Sequence, residues 1–478
     1  MKRQSALFLA LLLFATLASA QLNRSNFWPV AQNFGVDFTS GSPVSTGTGM
    51  LVTESAASIS DTSGNLLFYT NGEEIRNANM AVMPNGSGIL GCQSSTQGAV
   101  IVPMPQNPNI YYVFTTSCFE QNFTLGARYS IIDMSLDNGL GDVTVKNQSI
   151  RTNVAEELAA TYHNNNCDFW VVFHDLSSSN YYSYLLTDTG LDTVPVTSSA
   201  GPNYAMIGSS TYGRTMLKFN QGGTMAVQTA RQNTTPQVHQ FDRSNGQFSA
   251  FIDIAPWSFL NDYYSGCFSP NDSVLYIIAR AYGSSTTSSY LIQYDLSTPT
   301  SSAVSASRDV LHVQGTGPNL GQMQLGPDGL IYFSLYQQPF LGTITNPNVV
   351  GAGAIVDHVA FNTGSAVQYA LPNFVSQFIG PGPNLGCTPP VAIELSDYDI
   401  HPKVYPNPSQ GRVHFEFNQL NGEHYHLKIN DLLGRVVFEQ KEVQSPFQFN
   451  GDDLPAGVYV YTLFEGDQLI SQGKLRME

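Results

Sequence analysis

A chain of 478 residues with a net charge of −16, 12% charged and 12% aromatic residues is too apolar for disorder and too acidic to grip nucleic acid. The length suits two or three domains or one large repeat fold. Lys146 and Lys218 are the only lysines between residues 21 and 400, so Ser, Thr, Asn, Gln and Gly must dominate the surface, as suits an extracellular protein.

Residues 1–20 read as a secretory signal peptide. Lys2 and Arg3 form the positive end, ALFLALLLFATLA the apolar stretch, and Ala18-Ser19-Ala20 the cleavage site before Gln21. No Cys follows that site, which argues against a lipid-anchored start. No later stretch approaches the ~18 apolar residues of a membrane span, so the mature chain is expected to be exported and soluble, with no transmembrane segment.

A pattern of apolar strand, polar turn and apolar strand then recurs six times. The copies are ISDTSGNLLFYT from Ile59, VPMPQNPNIYYVFT from Val102, YHNNNCDFWVVFH from Tyr162, KFNQGGTMAVQTA from Lys218, FSPNDSVLYIIARA from Phe268 and QMQLGPDGLIYFSLY from Gln322. The first residues after the turns fall at 65, 109, 168, 224, 273 and 329, spaced 44, 59, 56, 49 and 56 apart. Most hairpins are followed by further strands, such as YSIIDMSL and YLIQYDLST, giving about four strands per unit. Loosely periodic units of this kind predict an all-β fold, a seven-bladed β-propeller over residues 21–380 with six or eight blades as alternatives. The seventh blade is expected from WPVAQNFGVDF near residue 30 and YALPNFVSQF near residue 370, which would remove the free edges. No segment sustains a helical period, so little helix is expected.

Five cysteines remain, Cys92, Cys118, Cys167, Cys267 and Cys387, at spacings that match no metal pattern. Cys92–Cys118 is the preferred disulfide because it closes the shortest loop, and the odd count leaves at least one thiol. A Gly/Pro-rich linker, residues 381–400 with GPGPNLGCTPP near its start, leads to a second domain over 401–478. There RVHFEF, HYHLKIND, RVVFEQ and GVYVYTLFEG alternate as the strands of a small Ig-like β-sandwich.

That C-terminal domain carries ordered blocks: Pro406-Asn407-Pro408 with Gly411, Asp431 with Gly434-Arg435, and Leu454 with Gly457 and Tyr459. In this order at the C-terminus they resemble the type A sorting domain of the type IX secretion system of Bacteroidetes. The resemblance implies passage through the periplasm, handling by the secretion machinery at the outer membrane, and release or attachment at the cell surface of a Gram-negative bacterium. A generic Ig-like adhesion module is the alternative. The body, through SISDTSGNLLFYTNG, STQGAVIVPMPQNPNIYYVFT and YALPNFVSQF, is similar to propeller-like regions of exported Bacteroidetes proteins, a likeness that implies a fold and no activity.

No hydrolase, zinc, calcium or nucleotide motif is present, so no catalytic residue, metal or cofactor is assigned. His163, His174, His239, His312 and His358 read as satisfied strand or loop residues. The charges are better ordered. Every glutamate of the body lies before residue 160: Glu54, Glu73, Glu74, Glu120, Glu156 and Glu157. On the repeat, Glu54, Glu156 and Glu157 precede first strands, while Glu73, Glu74 and Glu120 follow second strands. Arg214, Arg231 and Arg280 take matching loop positions in later units. These loops open on one face, so a mouth is expected with carboxylates over the early blades and guanidinium groups over the later ones. Tyr181, Tyr182, Tyr263, Tyr264 and Tyr336 are the expected stacking surfaces. The plain alternative is that loops are simply where charges belong.

Three functions follow as expectations. The first is a secreted or surface binding module for a glycan or protein, favouring a ligand with charged or mixed donor and acceptor groups. The second is a hydrolase such as a glycosidase using the early glutamates, which would need two carboxyl groups about 5–9.5 Å apart. The third is a structural or adhesion protein.

Overall fold

The structure, a computed structural model, describes residues 23–204, 213–231, 235–257, 260, 262–281, 288–315, 317–379, 387, 402–417, 425–431, 434–465 and 468–478. The signal peptide and nearly all of the linker lie outside these residues. Two compact units, Met1–Cys387 and Thr388–Glu478, divide the chain.

In the first unit, seven antiparallel sheets follow one another along the sequence. Sheet 1 has three strands, Phe27–Ala31, Phe34–Asp37 and Val44–Gly47. Sheets 2 to 7 begin with the strands Ala57–Ser60, Ala99–Pro103, Val154–Tyr162, Thr215–Phe219, Asp262–Phe268 and Leu320–Leu325. Each has four strands in sequence order, except sheet 4, which carries a fifth. The six sequence hairpins join first to second strands in these sheets. Their turns use residues that tolerate left-handed backbone: Gly64, Gln106, Asn166, Gly223, Asp272 and Gly329 all have positive φ. Helix is confined, among the described residues, to Ser301–Ala306 and a few 3-10 turns.

First strands pack against first strands from one sheet to the next, and the cores lie between neighbouring sheets. Trp28 of sheet 1, wholly buried, meets Tyr332 of sheet 7 edge to face at 5.4 Å, so the last sheet closes against the first. The arrangement is all-β and propeller-like.

One expectation fails. YALPNFVSQF adds no strand to the closing sheet, and the isolated bridge between Ala31 and Val367 falls two residues before it. Residues 367–379 instead run between the first strands of the sheets. The Tyr369 amide donates to the Thr53 carbonyl, and Gln322 Oε1 accepts from the Leu371 amide at 2.9 Å. Asn373 Nδ2 donates to the Ala99 and Leu158 carbonyls, while Gln97 Nε2 donates to its Oδ1. Gln377 Nε2 reaches Thr161 Oγ1 at 2.6 Å, and Gln221 Nε2 reaches the Ile379 carbonyl. Pro372 cannot donate to a ladder, and side-chain amides satisfy the strands' carbonyls instead. These contacts run from the heads of the first strands to the hairpin turns, so the segment is an axial strap.

Cys92 is bonded to Cys118, and Cys167, in the hairpin turn of sheet 4, is bonded to Cys387 just beyond the strap. Cys267 is a buried free thiol.

The second unit has a three-stranded sheet, Lys403–Tyr405, Arg412–Glu416 and Phe447–Asn450, and a four-stranded one ordered Val436–Val443, Tyr425–Asp431, Gly457–Glu465, Gln468–Met477. Val413, Phe415, Leu427, Phe449, Leu463 and Leu475 belong to the core between them. The ordered sequence blocks hold this unit together. Asn407 donates from Nδ2 to the Lys474 carbonyl and accepts the Arg476 amide at Oδ1, so its side chain pairs with the final strand. A Cβ on Gly411 would collide with Asp452. Arg435 donates to Asp431 at 2.7 Å across a turn in which Gly434 has a φ of 80°, and the Tyr459 hydroxyl donates to the Pro455 carbonyl.

Candidate functional site at the heads of the first strands

First strands start, and second strands end, at the end of the first unit opposite the hairpin turns. Side chains from successive sheets converge there. Glu54, just before sheet 2, accepts a hydrogen bond at Oε1 from the Tyr264 hydroxyl of sheet 6 at 2.9 Å. Asp262, the first residue of sheet 6, is fully buried, with Oδ2 at 3.4 Å from Arg231 Nε and 4.0 Å from Arg280 Nη1. Arg280 lies 3.8 Å above the Tyr264 ring and 4.9 Å from the ring of Tyr369, which stacks on Tyr336 at 4.2 Å and 6°. Tyr264 and Tyr369 also touch each other, with centroids 5.5 Å apart, so the guanidinium rests against a pair of neighbouring rings that Tyr336 extends.

Electrostatics follow from burial. Desolvation lifts the Glu54 carboxyl above its ordinary range, against the pull of Arg231, the Tyr264 hydroxyl and Arg280. Arg231 is held charged despite its burial, by Asp262 first. Neither Asp262 oxygen nor Arg280 Nε has a hydrogen-bond partner among the described residues, although both side chains are more than nine-tenths buried.

Several expected residues sit differently from their sequence reading. Glu156 and Glu157 lie inside the strand Val154–Tyr162, not before it, and both are fully buried. Glu156 Oε2 accepts from the Thr96 amide and hydroxyl at 2.7 and 2.6 Å, and Oε1 accepts from the Phe119 amide at 3.0 Å. It joins sheets 3 and 4 and leaves no oxygen for a ligand; desolvation first, then the Glu54 charge, push it up to about 7. Glu157 faces the other side, where Tyr204 donates to it at 3.1 Å and His174 Nδ1 stands at 3.5 Å. Burial pushes its carboxyl up to about 8 and the His174 imidazole down to about 3. Arg280 ends a strand rather than occupying a loop, because Asp262 and two aromatic rings compensate its burial.

Arg214 is engaged by Glu120 at 2.7 Å and covers the Phe119 ring at 4.2 Å. Glu73 and Glu74 open on a neighbouring cleft of ≈540 Å³ with Leu51, Leu90 and Gln121, Glu74 pairing with Arg76. Most of the tyrosines are not stacking surfaces. Tyr263 is buried on the far side of its strand, and its hydroxyl accepts from the Trp257 amide. Tyr181 and Tyr182 are buried inside sheet 4, and one face of Tyr264 is covered by Arg280. Only Tyr336 remains partly exposed on an outer face. Cys92, Cys118 and Glu120 lie close enough to suggest a metal group, but the disulfide removes both thiolates.

Sequence reasoning missed Asp262 and Tyr369. The first shows as an isolated charge at the head of the apolar strand DYYSGCF, the second was read as part of a strand.

Residues 403–475 match the family model of the secretion system C-terminal sorting domain. A type IX sorting domain implies export to the surface or medium. No helix among the described residues is long and apolar enough to cross a membrane. No curated protein matches the chain in sequence. Among solved structures, a provisionally named 6-phosphogluconolactonase from Bacteroides fragilis is 9% identical, with a TM-score of 0.45 over 73% of this chain and 98% of that one. Periplasmic gluconolactonase from Pseudomonas aeruginosa is 12% identical, with a TM-score of 0.43 over 72% and 98%. Likenesses this distant carry nothing about activity.

Proposed function

We propose that the mature protein, from Gln21, is a type IX-exported binding module of a Bacteroidetes cell, released or held at the surface. Its seven sheets are the blades of one propeller over residues 21–380, with the linker 381–400 and an Ig-like sorting domain over 401–478. The ligand, a glycan or a protein, binds at the heads of the first strands. One observation supports this reading above the rest: Glu54, Arg231, Asp262 and Arg280, from three sheets, form a charged cluster there in which Asp262 and Arg280 Nε have no hydrogen-bond partner among the described residues. The hydrolase reading is weaker, because three donors already occupy the Glu156 carboxyl.

The test is binding of the purified mature protein to a glycan array and to surface proteins, beside the variants Glu54→Gln and Arg231→Gln. Loss of the same ligands in both variants supports the site. Binding that survives both variants places the ligand elsewhere, and surface adhesion lost on gene deletion without any array ligand favours the structural role.

A further inference from the structure

The arrangement of charge at this end selects among ligand classes. Glu54 is partly exposed and the Arg231 side chain is 14% exposed, so these two meet a ligand; Asp262 and Arg280 stand behind them. Opposite charges therefore alternate over a few ångström. A carboxylate drawn to Arg231 would meet Glu54 and Asp262. An ammonium group drawn to Glu54 would meet Arg231 and Arg280. Either is attracted once and repelled once, and each also surrenders its own hydration.

A hydroxyl group escapes this conflict because it donates and accepts at once. Two hydroxyls on adjacent carbons can donate to a carboxylate oxygen while accepting from a guanidinium N–H, without bringing net charge. Hydrogen bonds to charged groups are the strong kind, and both partners are already held in place. Glu54 is tied to the Tyr264 hydroxyl and Arg231 is held by Asp262 at 3.4 Å, so little ordering remains to be done on binding. The geometry points to a neutral sugar residue presenting vicinal hydroxyls as the ligand of this site, bridging Glu54 and Arg231. The inference rests on the reading of this end of the ring as the binding site, and replaces the charged ligand suggested by the sequence.

The experiment compares neutral methyl glycosides of gluco, galacto and manno configuration with the matching uronates and 2-amino sugars, by titration calorimetry at neutral pH on the full mature chain. At least one neutral glycoside should bind about tenfold or more tightly than its charged counterparts, with an affinity little changed by added salt. Glu54→Gln should weaken it about tenfold or more with an unchanged thermal transition, and Arg231→Gln should weaken it as much in protein that still folds, with a lowered transition because Asp262 loses its nearer cation. A uronate or amino sugar that binds as well as its neutral counterpart, and loses affinity in either variant, overturns the neutral class but keeps the site. Binding indifferent to both variants, or no binding by any member at tens of millimolar, overturns the site and this inference with it.

Discussion

Adjacent glutamates on one strand should respond differently to the same substitution. Glu157 is fully buried, with a carboxyl pushed up to about 8 from an ordinary 4.5. A folded-state value above the unfolded one contributes stability that is fully present below 4.5 and is lost as pH rises toward 8. At about 1.4 kcal/mol per pH unit, holding this carboxyl neutral costs about 3 kcal/mol at pH 7 and almost nothing at pH 4.5. Glutamine is neutral at every pH. Its oxygen can keep the Tyr204 hydroxyl, and its amide would replace Oε2, which has no hydrogen-bond partner among the described residues, close to Gln228, whose Oε1 has none among them either. Glu157→Gln should therefore stabilise the first unit by up to about 3 kcal/mol at pH 7, with the gain shrinking toward zero at pH 4.5. Glu156→Gln should not show this gain. Its carboxyl, pushed up to about 7, carries a similar cost at pH 7, but it accepts three donors through both oxygens, and an amide would turn an N–H against one of them. A loss of about 1–3 kcal/mol should offset the gain at pH 7 and leave the variant near wild-type stability there. Urea unfolding of wild type and both variants at pH 4.5, 7 and 8 measures the differences. A Glu157→Gln variant that is less stable at pH 7, or whose gain does not vary with pH, would refute the reasoning.

Other expectations follow from the same contacts. Arg280→Ala leaves Asp262 buried with one remaining cation and should cost about 3–5 kcal/mol in urea unfolding, whereas Arg214→Ala, on the half-exposed Glu120, should cost under about 1 kcal/mol. Burial holds His174 and His239 at about 3 and 4, below their ordinary 6.5, so their stability is present above 6.5 and lost as pH falls; thermal midpoints should drop steeply below pH 5. Cys387→Ser opens a loop of 220 residues and should lower the first unit's unfolding free energy by about 2–5 kcal/mol. Deleting residues 473–478 removes the partners of Asn407 and Ser409 and the end of the last strand; a secreted reporter carrying this truncation should accumulate in the periplasm, and normal surface delivery would contradict the role of the unit.

Legibility in the sequence followed the range of the interactions. The hairpins were readable because each is local: a turn residue that tolerates positive φ stands between two apolar runs, and the period repeats it. The sorting unit was readable where its blocks are turn devices closed within four residues, as in Asp431–Arg435 and Tyr459–Pro455, whereas Asn407 finds its partner 67 residues on. The charged end was legible only in outline. Position on the repeat brought Glu54, Arg231 and Arg280 to one end, but not how far each is buried. That depends on partners more than a sheet away: Tyr264 lies 210 residues from Glu54, and Thr96 lies 60 residues from Glu156. A lone glutamate in a strand looks the same whether it faces water or three donors.

The strap shows the same limit more sharply, and it matters most for function. In its sequence, alternating apolar residues suggest a strand, yet Asn373 and Gln377 use their side chains where a strand would use its backbone. Amide side chains can satisfy strand carbonyls on several sheets at once, whereas a strand pairs with one or two neighbours. Asn373 alone touches the Ala56, Ala99 and Leu158 regions, which begin sheets 2, 3 and 4. The segment thus fills the space between the first strands and binds them together. It starts at the charged end, where Tyr369 backs Arg280, and leaves at the hairpin end, where Cys387 is bonded to Cys167.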